Sequence, residues 1–244
     1  MIILSLDISS TSTGWAVLET GTTDKLVEYG LIKPDGMDVI RRLYFFGNEI
    51  KKLIEKYKPN EICIEEVVLV RGPVIMRTLA SFRGVALFQA YSYQKKDITT
   101  FEPPSWKKII GLGGFAKKCE IQLYICEYFK LMNDEKISEY KIIIKDLLDK
   151  LNDAKKGGRQ RNSLIAKQMI DEKQKLESSD LGKNDIKKQL KLIEKKLAKE
   201  TKNAIKEIEK KIDNTSIDIY ADCGVNSDVA DAIGVGLAFI KKIK

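Results

Sequence analysis

The 244-residue sequence predicts an α/β protein carrying a lysine-rich helical insertion, and three observations lead there. The chain opens with three short segments rich in β-branched and aromatic residues, separated by turn formers. A stretch with apolar residues at helical spacing follows and gives way to a fourth strand-like segment. From about residue 132 to 215 the composition changes: lysine and glutamate dominate, and aromatics nearly vanish after Tyr140.

The elements follow in order. Residues 2–8 alternate and are β-branched, residues 14–19 form a second strand and residues 26–33 a third, which together read as an antiparallel meander. Residues 38–57 place Ile40, Leu43, Phe46, Ile50, Leu53 and Ile54 at helical spacing. Residues 61–67 return to strand character, residues 75–94 fit a second helix, and residues 97–101 a short fifth strand. Pro103-Pro104-Ser105 starts a short helix through Trp106, and a helix over about 116–131 follows Gly111-Leu112-Gly113-Gly114. An apolar helix capped by Ser227 ends at Ile243. Three strands, a helix and a strand open an RNase H-like fold, so the expectation is a mixed five-stranded sheet flanked by helices. Residues 1–131 and 216–244 would form that domain and residues 132–215 the insertion.

Within the insertion, Ile186, Leu190, Ile193 and Leu197, then Ile205, Ile208 and Ile212, follow a near-heptad rhythm after an N-cap at Asn184. That is the pattern of a helical hairpin or coiled-coil arm. Lys155-Lys156-Gly157-Gly158-Arg159-Gln160-Arg161 is expected to interrupt the helices as an exposed basic loop. Two readings of the region stand side by side: a solvated or dimerising helical element, or a lysine-rich face that grips DNA.

Bulk properties narrow the chemistry. The formal net charge is +8, which favours a polyanionic partner. Histidine is absent, which removes Ser-His and Cys-His nucleophilic schemes and histidine-ligated zinc together. Four cysteines without a CxxC pair suggest reduced, structural thiols. No apolar run approaches the roughly 20 residues of a membrane span, and the N-terminus lacks a signal-peptide pattern, so no membrane association and an intracellular, soluble location are expected.

Acid-base or metal chemistry must then run on carboxylates, lysines and water. Asp7 ends the first strand, before a turn rich in small hydroxyl residues, and Glu65 ends the fourth strand, which pairs beside the first in an RNase H-like sheet. Asp228 and Asp231 are three apart at the start of the last helix and share one face. Taken singly, these are a turn former, one of two adjacent surface acids, and helix N-terminal acids favoured by the dipole. Taken jointly, four carboxylates converge on one spot, and Asp231 is set in Val229-Ala230-Asp231-Ala232-Ile233, a stretch that should bury. Clustered carboxylates repel unless a divalent cation joins them. Mg²⁺, or Mn²⁺ in its place, would suit such hard oxygen ligands and could activate a water beside a phosphodiester. Glu66 points to the opposite strand face from Glu65.

These segments resemble the RuvC family of Holliday junction resolvases, its phage and poxvirus branches included. The resemblance covers residues 1–130 and 222–244 and rests on four stretches: Leu6-Asp7-Ile8-Ser9 with Thr13-Gly14-Trp15-Ala16-Val17, Cys63-Ile64-Glu65-Glu66-Val67, Arg83-Gly84-Val85-Ala86, and Asp228-Val229-Ala230-Asp231-Ala232-Ile233. It implies that Asp7, Glu65, Asp228 and Asp231 hold metal. It places Lys107 and Lys118, or their neighbours Lys108 and Lys117, where basic residues meet the scissile phosphate or the junction backbone. It also implies a homodimer, four-way branched DNA as substrate, and cleavage leaving 5′-phosphate ends in DNA recombination and repair, within a bacterial cytoplasm or a viral replication compartment.

The sequence departs from the bacterial pattern at Val67-Val68-Leu69-Val70-Arg71: bacterial members of the family present there an aromatic residue that stacks at the junction centre, and this stretch has none. Arg71, Arg77 and Arg83 are the candidates to hold backbone phosphates there. Three other readings remain: a broader branched-DNA or flap endonuclease, an actin-like or sugar-kinase-type ATP-binding protein whose first hairpin resembles Asp7 to Gly14, and a non-catalytic junction-binding protein.

Overall fold

The computed structural model describes residues 1–34, 36, 38–67, 72–176 and 183–244, and side chains outside 158–194, 196, 197 and 200. Among them the chain forms five strands and seven helices. In order these are β1 (Ile2–Asp7), β2 (Thr13–Glu19), β3 (Lys25–Ile32), α1 (Val39–Tyr57), β4 (Glu61–Glu65), α2 (Pro73–Gln94), β5 (Thr99–Phe101), α3 (Pro103–Ile109), α4 (Lys118–Tyr128), α5 (Asp134–Leu176), α6 (Lys183–Cys223) and α7 (Ser227–Ile243). The sheet order is β3-β2-β1-β4-β5. The β1–β2 and β2–β3 pairs are antiparallel, whereas β1–β4 and β4–β5 are parallel. This is the mixed, RNase H-like α/β architecture expected from the strand and helix periods.

Strand alternation decides what each face does. Leu4, Leu6, Ile62 and Ile64 are fully buried on the face covered by α1 and α2, with Phe46, Ile50 and Phe82. Ile3, Ala16, Leu18 and Cys63 face the other way, into a second core with Trp106, Ile121, Ile125 and the apolar length of α7. Asp7 shares parity with Ile3 and Glu65 with Cys63. Both acids therefore belong to the face that α7 covers.

Alpha7 approaches that face closely because small residues meet there. A Cβ at Gly236 would stand 2.4 Å from Leu18 Cδ1 and 2.8 Å from Ser5 Oγ. A Cβ at Gly14 would fall 2.0 Å from the carbonyl oxygen of Asp228. The helix starts one residue earlier than its predicted cap: Asn226, not Ser227, is the N-cap, and its Oδ1 accepts from the Asp228 amide at 2.9 Å. Ser227 is left free to use its hydroxyl elsewhere. Buried Gln122 of α4 donates to the Val225 carbonyl at 2.9 Å and accepts from Ser216, which fixes the approach to α7.

The chain divides into two compact units, Met1–Ile137 with Ser216–Lys244, and Ser138–Thr215. The described secondary structure of the second unit is helical throughout, with Ile144, Leu147, Leu151 and Ile212 buried. It holds no second sheet among the described residues, so the two-domain layout of an actin-like ATP-binding protein is not found there. The basic loop expected at Lys155–Arg161 is instead helical, inside α5. Two successive glycines cost about 1 kcal/mol each relative to alanine, too little to break a helix whose neighbours are good helix formers. Alpha6 runs 41 residues, about 60 Å, and continues beyond Ile212, the last residue of the heptad series. Ile205 and Ile208 of the heptad series are half-buried, while the side chains of Ile186, Leu190, Ile193 and Leu197 lie outside the described residues. No single helix among the described residues is long and apolar enough to cross a membrane. None of Cys63, Cys119, Cys126 and Cys223 is in a disulfide.

Candidate active site

The parallel pairing of β1 with β4 sets Leu6 beside Ile64, and the next residue of each strand is an acid, Asp7 and Glu65. Across the antiparallel edge Asp7 pairs with Gly14. The absent side chain at Gly14 admits the first turn of α7, and with it Asp228 and, one turn on, Asp231. All four acids are half-buried.

Their electrostatics follow from this crowding. Burial pushes the Asp7 carboxyl well above its usual range, and the charge of Glu65, a hydrogen bond shared with it, and the charges of Asp231 and Asp228 push further in the same direction. Asp231 is raised to about 7, first by burial, then by Glu65, with Asp228 adding to it; Lys107 and Lys118 pull the other way. Asp231 Oδ1 is buried and has no hydrogen-bond partner. Among the described residues no three acidic or cysteine side chains stand close enough to enclose one cation as they are. The donor chemistry nevertheless fits a hard divalent cation: carboxylates only, one of them with a buried orphan oxygen, in a cluster where burial first and mutual repulsion next raise Asp7 and Asp231.

Two lysines complete the arrangement, and the structure separates each from its neighbour. Lys107 Nζ lies 3.5 Å from the Ala116 carbonyl and 5.4 Å from the centre of the Trp106 ring, and it acts on Asp231. Lys118 Nζ donates to Ser227 Oγ at 3.3 Å and stands 3.5 Å from Asp228 Oδ1. Lys108 is exposed, and Lys117 sits at the N-cap of α4, where its amide donates to Glu120 at 2.7 Å.

The arginines are arranged differently. Arg83 Nη2 donates to Glu66 Oε2 at 2.7 Å, and its Nε lies 2.7 Å from Oε1 in the same ion pair. Arg77 is exposed on α2. Arg71 lies outside the described residues.

Sequence reasoning passed over Trp106. Its indole Nε1 donates to Glu65 Oε1 at 3.0 Å while the ring is fully buried against α7. A buried tryptophan needs a partner for its N–H, and that requirement was the available signal. Ser227 was read only as a cap, yet its hydroxyl bridges Lys118 and, at 3.4 Å, Asp228.

Acids at the ends of adjoining parallel strands, faced by lysines in a chain without histidine, are the arrangement that a phosphodiester hydrolase of RNase H-like architecture calls for. The chain belongs to the family described as crossover junction endodeoxyribonuclease RuvC, whose model matches residues 3–141. That match ends before α7, so Asp228 and Asp231 lie beyond it. A crossover junction endodeoxyribonuclease RuvC from Endomicrobium trichonymphae is 30% identical over 134 residues, 54% of this chain and 70% of the relative. One from Rickettsia massiliae (strain Mtu5) is 34% identical over 123 residues, 50% of this chain and 78% of the relative. Among solved structures, Thermus thermophilus RuvC aligns with a TM-score of 0.46 at 17% identity, covering 53% of this chain and 81% of that one. The same protein in complex with a Holliday junction substrate aligns with a TM-score of 0.47 at 15% identity, covering 53% and 79%. Nucleases of this family use divalent metal ions.

Proposed function

We propose that the protein resolves four-way DNA junctions by metal-assisted hydrolysis of a phosphodiester at Asp7, Glu65, Asp228 and Asp231, leaving 5′-phosphate ends. The observation that carries this reading is the buried, unpartnered Asp231 oxygen in a carboxylate cluster two lysines face. Mg²⁺, with Mn²⁺ able to replace it, would be held by the four carboxylates and would supply an activated water and charge stabilisation at the leaving oxygen.

The chain's own groups do the rest. Trp106 holds the Glu65 carboxylate in one orientation. Lys107 and Lys118 lie beside the acids and supply positive charge where phosphate oxygens arrive. Arg77, Lys108 and Lys117 are exposed or half-exposed cations available to the DNA backbone. Arg83, paired with Glu66, braces the start of the segment after β4 rather than offering a free guanidinium. Arg71 is a further candidate for a backbone phosphate. Paired nicks across a two-fold junction call for two symmetric sites, which a homodimer provides.

The test uses the full chain and an end-labelled four-way junction. With Mg²⁺ or Mn²⁺, nicks should appear at symmetric positions on opposing strands. Asp7→Asn should abolish cleavage while junction binding persists; metal-dependent cutting by that variant would sink the assignment of the site. Equal cutting of Y-forks and linear duplexes would replace junction resolution with general branched-DNA cleavage.

A further inference from the structure

Phe115 is the most exposed large apolar side chain among the described residues, 92% open to solvent. Such exposure usually belongs to a loose loop, but the backbone on both sides of this residue is held. Leu112 packs against the core, and its amide donates to the Lys107 carbonyl at 2.9 Å. Gly114 lies on α3, where a Cβ would stand 3.1 Å from Lys108 Cε and 3.4 Å from Pro104. Ala116 donates to Gly113 at 2.9 Å, its carbonyl faces Lys107 Nζ at 3.5 Å, and the Lys117 amide is tied to Glu120 at 2.7 Å. The ring alone is left outside.

Its surroundings select an occupant. Residues 103–119 contain four lysines, Lys107, Lys108, Lys117 and Lys118, and no acid. Lys107 and Lys118 are the two that reach Asp231 and Asp228. Phe115 lies in the segment that joins these two lysines, one residue before Ala116, whose carbonyl faces Lys107 Nζ. A second copy meeting this patch across a two-fold axis would set lysines against lysines, which like charge opposes. A nucleic acid strand supplies both complements, phosphates for the lysines and a base face for the ring.

We infer that Phe115 is a base-stacking residue for the DNA substrate, positioning an unpaired or strained nucleotide at the branch beside the scissile phosphate. This rests on the proposed junction-cleaving function and adds a substrate contact that the acids and lysines do not provide. Stacking on a benzene ring is indifferent to base identity, so the contact would favour branched over fully paired DNA without imposing a sequence.

The experiment binds the full chain to a four-way junction carrying 2-aminopurine at the branch, with Ca²⁺ in place of Mg²⁺, and compares wild type with Phe115→Ala and Phe115→Trp. Wild type should change the 2-aminopurine emission on binding. Phe115→Ala should abolish that change and weaken junction binding roughly tenfold, with Phe115→Trp restoring both. The slope of log affinity against log salt should be the same for wild type and Phe115→Ala, because no phosphate contact is lost, whereas Lys117→Ala should reduce it. An unchanged emission response and affinity in Phe115→Ala, in a protein whose wild type cleaves junctions, would overturn the stacking role alone. A fall in self-association of Phe115→Ala with DNA binding intact would overturn it in favour of a protein contact. Failure of wild type to bind or cut any branched DNA would overturn the proposed function and the stacking role with it.

Discussion

Asp231 is set in an apolar helix segment, yet one of its oxygens has no partner and its carboxyl is raised from 3.8 to about 7. In an unfolded chain the group titrates near the ordinary value. Between roughly pH 4 and 7 the folded state then binds more protons than the unfolded one, so stability falls as pH rises through that window. The Asp7 shift acts in the same direction. Metal-free protein should accordingly lose melting temperature from about pH 4 to about pH 7, and Asp231→Asn should flatten part of that fall. Adding Mg²⁺ at neutral pH should raise the melting temperature of wild type and much less that of Asp231→Asn, since the cation stabilises the ionised cluster. Calorimetry across pH, with and without metal, measures both; a flat metal-free profile contradicts the buried acid cluster. At this scale the four acids were legible in the chain because each ends a strand or begins a helix. Trp106 was not, because its bond to Glu65 joins residues 41 positions apart and leaves no local pattern.

At the scale of elements, the site depends on how closely α7 lies on β1 and β2. The Gly14 contact with the Asp228 backbone leaves no room for even one methyl group. Gly14→Ala must push the N-terminal turn of α7 away from Asp7, at a cost of about 1–3 kcal/mol typical of overpacking. The expected outcome is a lowered melting temperature together with a severe loss of cleavage. Gly21→Ala, where an added Cβ meets nothing within 4 Å, should leave both near wild type. Element type followed from hydrophobic period, and so β1 to β5 and α1 to α4 fall close to their expected spans. Element ends depended on local competition. Asn226 wins the cap of α7 over Ser227, and α5 continues through Gly157 and Gly158 because a glycine weakens a helix without ending it.

At the scale of the whole molecule, a single carboxylate site cuts one strand, and resolution of a junction needs two cuts. Mixing wild-type subunits with an excess of Asp7→Asn subunits should produce junctions nicked on one strand only, visible on denaturing gels, in place of paired products. Paired nicks persisting in proportion to wild-type protein would show that one chain makes both cuts. Alternation and helical spacing determined by themselves an α/β chain, and the absence of histidine limited its chemistry to acids, lysines and water, because side-chain period and chemical type are written residue by residue. Family membership was likewise legible in the sequence, whose match to the family runs over residues 3–141. The tertiary structure alone decided which lysine of each pair faces the acids, that Arg83 is occupied by Glu66, that Trp106 orients Glu65, and that Phe115 projects alone from a pinned loop. Each of these depends on a contact between distant segments or on what a neighbour leaves uncovered, and strand register and helix packing set both.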